Sequence, residues 1–94
     1  MKKYQLRFAP GVLRSIDRLP GHIRQRVKRT IDSLRYEPIP KQALALKNRL
    51  TGYYRIRVDE YRIIYTVQDE IVTLEIARVA KRDNDTYEDL PIVE

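Results

Sequence analysis

Between Lys3 and Phe8 the chain alternates, with Tyr4, Leu6 and Phe8 on one side, and a period of two predicts a half-buried strand. Ala9-Pro10-Gly11 breaks that pattern. Val12, Leu13, Ile16 and Leu19 then recur at helical spacing, which predicts a short amphipathic helix. After a turn at Pro20-Gly21, Ile23, Val27, Ile31 and Leu34 form the stripe of a longer helix. Glu37-Pro38 ends it, because the residue before a proline resists helical backbone. Two helices joined so tightly make an antiparallel helical hairpin. Arg24, Lys28 and Arg35 fall on the outer side of the second helix and read as a solvated face. Residues 38–50 carry two prolines and then Leu44, Leu46 and Leu50, the pattern of a connector tucked partly against the core.

Residues 51–67, TGYYRIRVDEYRIIYTV, read as a β-hairpin turning at Asp59-Glu60. That register sets Val58 opposite Tyr61, Ile56 opposite Ile63 and Tyr54 opposite Tyr65 on a core face. It also sets Arg57 opposite Arg62, with Arg55 on the same side, although like charges across a ladder destabilise a sheet. A second reversal at Gln68-Asp69 leads into Val72–Val79, a β-branched and aliphatic run suited to a central strand. With that turn, Val72, Leu74 and Ile76 join the core face and Glu75 lies opposite Arg62. The order β-α-α-β-β-β predicts a single α+β domain over residues 1–94, an antiparallel sheet with the helical hairpin on one face. The other face carries the arginines.

Charge sharpens this picture. Residues 83–94 hold five acids and no Lys or Arg, so the first 82 residues carry all 19 bases against eight acids, a balance of +11. Such a body attracts polyanions, nucleic acid first, or merely keeps a small domain in solution. With no Cys, neither a disulfide framework nor thiolate chemistry is possible. No secretory signal and no long apolar run are evident, which points to the cytoplasm and away from a membrane.

His22 is the only histidine, at the start of the second helix, so metal sites of the usual spacing and histidine acid–base pairs are excluded. Gly11, Gly21 and Gly52 are isolated turn residues, so no phosphate-cradling glycine loop exists. Neither a metal nor an organic cofactor is expected. What remains is Arg55, Arg57 and Arg62 on one face, with Lys81-Arg82 at the end of the last strand. Guanidinium forks match phosphate oxygens, and a self-repelling cluster becomes favourable once a phosphate sits in it. Tyr53 and Tyr87 are candidates to stack on unpaired bases. The alternative is a surface network in which Glu75, Asp59, Glu60 and the acidic tail neutralise these arginines.

The stretch LKNRLTGYYRIRVDEYRIIYTVQDEIVTLEIARVAKR, residues 46–82, resembles the signature hairpin of the RelE/ParE toxin superfamily. The shared pattern is a leucine-lysine start, an aromatic-arginine strand, a YR..Y strand, an aliphatic strand and a terminal arginine. The resemblance implies a toxin of a type II toxin–antitoxin system, neutralised by an acidic antitoxin. Its RelE-like branch implies a ribosome-dependent endoribonuclease that cuts mRNA in the A site by 2′-hydroxyl attack on the adjacent phosphate. By that resemblance Arg62 grips the scissile phosphate, Arg82 stabilises its charge, and Tyr87 stacks on a base or orients the attacking hydroxyl. Arg57 joins this catalytic set, while Arg55, Lys47, Tyr53 and Lys81 bind RNA. Arginine at 55 and 57 replaces the lysines often found there, so a strand general base is missing. Lys47, Lys81, Glu75 and Tyr87 remain as proton-transfer candidates. The ParE-like branch implies instead a DNA gyrase inhibitor, and a third reading is a toxin-like protein that binds RNA without cutting it.

Overall fold

The computed structural model describes residues 2–82 and 86–93. Strand β1 (Gln5–Phe8) leads into helix α1 (Val12–Asp17) and helix α2 (Gly21–Leu34). Four strands follow: β2 (Leu44–Ala45), β3 (Tyr53–Val58), β4 (Tyr61–Gln68) and β5 (Thr73–Lys81). They form one sheet in the order β1-β5-β4-β3-β2, antiparallel except where β1 runs parallel to β5. The α+β architecture and the helical hairpin match the pattern of the chain; β2 is an addition, a two-residue strand within the expected connector.

The α-hairpin buries Ile16, Val27, Ile31 and Leu34 against Ile56, Ile63, Tyr65, Leu74 and Ile76 of the sheet. Arg24 donates from Nη1 to the Asp17 carbonyl at 3.2 Å, one of the acceptors at the end of α1. Arg35, expected on a solvated face, instead ties α2 to the N-terminus. Its Nε donates to the Tyr4 carbonyl at 2.9 Å, and its own carbonyl accepts from the Tyr4 N–H at 2.8 Å. Those partners become available because α2 stops at Leu34, short of the proline, and the chain turns there.

The β3–β4 register has Val58 paired with Tyr61, Ile56 with Ile63, Tyr54 with Tyr65 and Arg57 with Arg62. The β4–β5 register departs from expectation. Gln68-Asp69 is not a two-residue turn: Asp69–Ile71 forms a turn of 3-10 helix and Val72 closes it in the left-handed region, at φ 48°. A β-branched residue is rarely found there, so the alternating pattern hides the longer turn. Glu75 consequently pairs with Thr66, and Arg62 pairs with Ala80. Glu75 thus sits four residues along from Arg62, about 13 Å of strand away.

A β-bulge at Ala77 completes the rearrangement, since Tyr65 pairs with Ile76 while Ile64 pairs with Arg78. One extra residue inverts the alternation of side chains beyond it. Val79 therefore returns to the core, while Arg78 and Ala80 share the face of Ile64 and Arg62. The same inversion aims the next residue of that parity, Arg82, at the arginine face.

Candidate phosphate-binding site

The face opposite the helices is divided by the C-terminal segment, which crosses it. Leu90 buries against Tyr53 and Ile64, with Leu46, Leu50, Ala77, Tyr87 and Val93 packed around them as a second small core. The strap is held largely through its own carbonyls. Arg49 donates to those of Leu90 at 2.8 Å and Tyr87 at 3.1 Å. Arg78 Nη1 donates to those of Thr86 at 2.7 Å and Glu88 at 2.6 Å. The Tyr53 hydroxyl donates to Pro91 at 2.6 Å. Gly52 lets Val93 approach, for a Cβ there would stand 2.9 Å from the valine side chain, and its φ of 102° suits glycine.

At the turn end of the β3–β4 hairpin lies a cleft of about 330 Å³ lined by Arg57, Asp59, Glu60, Arg62, Lys81 and Arg82. Arg62 is 6% exposed, and its Nη1 donates to the Tyr87 hydroxyl at 2.7 Å. The Arg82 N–H donates to the Glu60 carbonyl at 2.8 Å, extending the β4–β5 ladder by a rung beyond Tyr61 and Lys81. The Arg57 guanidinium is held below its usual range by the neighbouring charge of Arg55, then by Arg62, burial and Arg82, with Tyr87 opposing. It stays a cation, as arginine does in proteins, and a poor proton acceptor. The Nε of Arg55 is buried without a hydrogen-bond partner among the described residues.

Of the residues singled out from the chain, Arg57, Arg62, Lys81 and Arg82 line the cleft, Arg55 adds its charge beside it, and Tyr87 reaches it from the strap. Tyr53 does not serve as a stacking platform in this conformation: it is 4% exposed beneath the strap. Lys47 stands exposed ahead of a 3-10 turn at Asn48–Leu50 and does not line the cleft. The tail acids Asp83, Asp85 and Glu94, proposed to neutralise the arginines, lie outside the described residues. Asp59 is engaged on its helical side, 2.6 Å from Arg26, and Glu60 sits 3.5 Å from the Lys81 ammonium. Among the described residues no three potential ligands gather for a metal ion, and no helix is long and apolar enough to cross a membrane.

Reasoning from the chain missed Arg49 and Arg78 as anchors of the strap. A signal for the second was present: Ile76 and Val79 are three apart in a strand whose apolar residues otherwise alternate, which marks the bulge that turns Arg78 outward.

Comparison with known proteins agrees with this architecture. The toxin chain in the RelBE2 toxin–antitoxin complex of Mycobacterium tuberculosis is 31% identical, with a TM-score of 0.73 over 85% of this chain and 99% of that one. In the RelB–RelE antitoxin–toxin complex from Methanococcus jannaschii the corresponding values are 29%, 0.69, 90% and 99%. The isolated RelE toxin of E. coli shares the fold at 24% identity, with a TM-score of 0.74 and 86% of each chain covered. A family described as "ParE toxin of type II toxin-antitoxin system, parDE" matches residues 6–86. With that span matched and a RelE-like fold, the chain belongs to the ParE toxin family, within the RelE/ParE superfamily of type II toxin–antitoxin toxins.

Proposed function

We propose that this toxin is a ribosome-dependent endoribonuclease that cleaves mRNA in the A site by 2′-hydroxyl attack on the adjacent phosphate. The observation that carries the reading is the cleft itself. Arg57, Arg62 and Arg82 converge on one small volume, with the Tyr87 hydroxyl on Arg62. Like charges gathered at this density oppose folding, and a phosphate filling the cleft offsets their repulsion. In-line attack at phosphorus asks chiefly for positioning and for donors aimed at the developing charge. The ribosome supplies alignment of the RNA, so bare RNA in solution is cut poorly, and the site of action is the cytoplasm. The natural antagonist is an antitoxin with an acidic, amphipathic segment that adds to the sheet edge or packs on the domain, pinning or displacing residues 83–94. The solved relatives that are complexes with RelB support that partner class.

Arg62→Ala and Arg82→Ala each remove one preorganised donor, a loss worth on the order of 10²–10³ in rate. Single-turnover cleavage on programmed ribosomes should fall by that factor. Thermal melts should show folded protein, because relief of repulsion offsets the lost Arg62–Tyr87 bond. Arg29→Ala is the control on an exposed helical surface, in place of Arg35, whose bonds to Tyr4 are structural. Near-normal cleavage by both folded variants would remove the site assignment. The description of the matching family favours one alternative, inhibition of DNA gyrase. Supercoiling inhibition by the wild type without mRNA cuts would establish it.

A further inference from the structure

The cleft holds a group that its cationic character does not explain. Glu60, in the turn that precedes β4, lines it together with Arg62 and Arg82, and its carbonyl forms the rung opposite Arg82. Asp59, its neighbour, is drawn to Arg26 at 2.6 Å, whereas among the described residues Glu60 pairs with the Lys81 ammonium at 3.5 Å, with both side chains more than half exposed. A carboxylate in a cleft built to hold phosphate repels its ligand. Its place there costs binding, a cost that proton transfer in the reaction would offset. The other proton-transfer candidates are less suitably placed. Glu75 lies at the far end of the strand, Lys47 is outside the cleft, and the Tyr87 hydroxyl already accepts from Arg62.

We infer that Glu60 and Lys81 are the proton-transfer pair of the cleavage reaction, Glu60 taking the proton from the attacking 2′-hydroxyl and Lys81 giving one to the departing 5′-oxygen. The inference rests on the endoribonuclease reading above. The O2′–H bond breaks toward the Glu60 carboxylate as O2′ bonds to phosphorus. The P–O5′ bond then breaks, and O5′ leaves with a proton from the Lys81 ammonium. Products are a 2′,3′-cyclic phosphate and a 5′-hydroxyl. Enzyme is left with a neutral acid beside a neutral amine, and one proton passing from Glu60 to Lys81 restores the starting ion pair. No water, metal or redox partner is consumed.

The test compares Glu60→Gln with wild type in single-turnover cleavage on programmed ribosomes, alongside binding of a non-cleavable 2′-deoxy message. Loss of a general base costs on the order of 10²–10⁴ in rate, so cleavage should fall at least 10²-fold. Binding should stay equal or tighten, because a negative charge has left the cleft. Lys81→Gln, which removes the proton donor to the departing oxygen, should slow cleavage by a comparable factor. A merely electrostatic role for Glu60 gives the opposite sign: tighter binding and cleavage as fast as wild type or faster, which would overturn the inference. Glu70→Gln, on the distant turn, controls for charge alone. If wild type itself leaves programmed mRNA intact, the reaction assignment fails and this role with it; if wild type cuts and Glu60→Gln cuts equally, only the proton-transfer role fails.

Discussion

Arg62 is buried among like charges, yet its described hydrogen-bond partner is a neutral phenol, the Tyr87 hydroxyl at 2.7 Å. Arginine is seldom so enclosed unless paired. Replacing Tyr87 with Phe keeps the ring against the second core but deprives Arg62 of its acceptor, at a cost of about 1–3 kcal/mol. Thermal melts should show that loss. Added inorganic phosphate should then stabilise Tyr87→Phe more than wild type, since the anion takes over the vacated donor. Equal phosphate-induced shifts would mean that the hydroxyl does not hold Arg62. At this scale the chain was partly legible. Period-two alternation reveals that Arg55, Arg57 and Arg62 share a face, because in a strand alternate residues always do. The Ile76–Val79 spacing could show Arg78 turned outward, but neither it nor Arg49 was legible as an anchor of the strap. Their acceptors are main-chain carbonyls, which every residue possesses and no residue type announces.

Among the elements, the β3–β4 hairpin could be read directly and the β4–β5 pairing could not. The first reversal is a two-residue turn at acidic residues, with Asp59 in the left-handed region that Asp tolerates. The second spends Val72 on a left-handed conformation, and the strand after it is interrupted by the Ala77 bulge. Both features move residues from one face to the other without changing the apolar composition of the strand. Packing overrides local preference here: the 3-10 turn seats Asp69 where it accepts from the Tyr4 hydroxyl. The connector after α2 is tied to the sheet through Tyr65, which is fully buried on β4 and donates its hydroxyl to the Pro38 carbonyl at 2.7 Å. Tyr65→Phe leaves that carbonyl short of a donor, for a loss of about 1–3 kcal/mol near neutral pH. Burial also raises the Tyr65 pKa well above the usual phenol range, with Tyr54 adding to it. The unfolded chain ionises this group near pH 10, so the folded state holds a proton that the unfolded state releases. Stability from the shift is complete below about pH 10 and is lost as pH rises beyond it. Denaturant midpoints across pH 8–11 should fall more steeply for wild type than for Tyr65→Phe; parallel curves would show that Tyr65 does not govern alkaline unfolding.

Across the whole molecule, a basic body employs its arginines in two ways. Those of the hairpin face into an anion-sized cleft, while Arg49 and Arg78 turn inward to the backbone of the strap. The net charge that suggests polyanion binding therefore overstates the number of arginines available for it. The strap covers Tyr53 and Ile64 and delivers Tyr87 to Arg62, so the active face depends on a segment with little regular structure of its own. Hydrogen bonds from charged donors contribute about 1.5–3 kcal/mol each when shielded, and the more exposed Arg49 belongs at or below the bottom of that range. The double variant Arg49→Ala/Arg78→Ala should release residues 86–93 while the helical core stays closed, because that core lies on the opposite face of the sheet. Amide hydrogen exchange separates the two regions: protection should be lost in the strap and kept in α2 and β4. Cleavage on programmed ribosomes should fall with the departure of Tyr87, whereas stabilisation by inorganic phosphate should persist, since Arg57, Arg62 and Arg82 are untouched. Undiminished protection of residues 86–93 in the folded double variant would show that Leu90 and Val93 hold the strap by packing alone, and that the arginine contacts contribute nothing to positioning Tyr87.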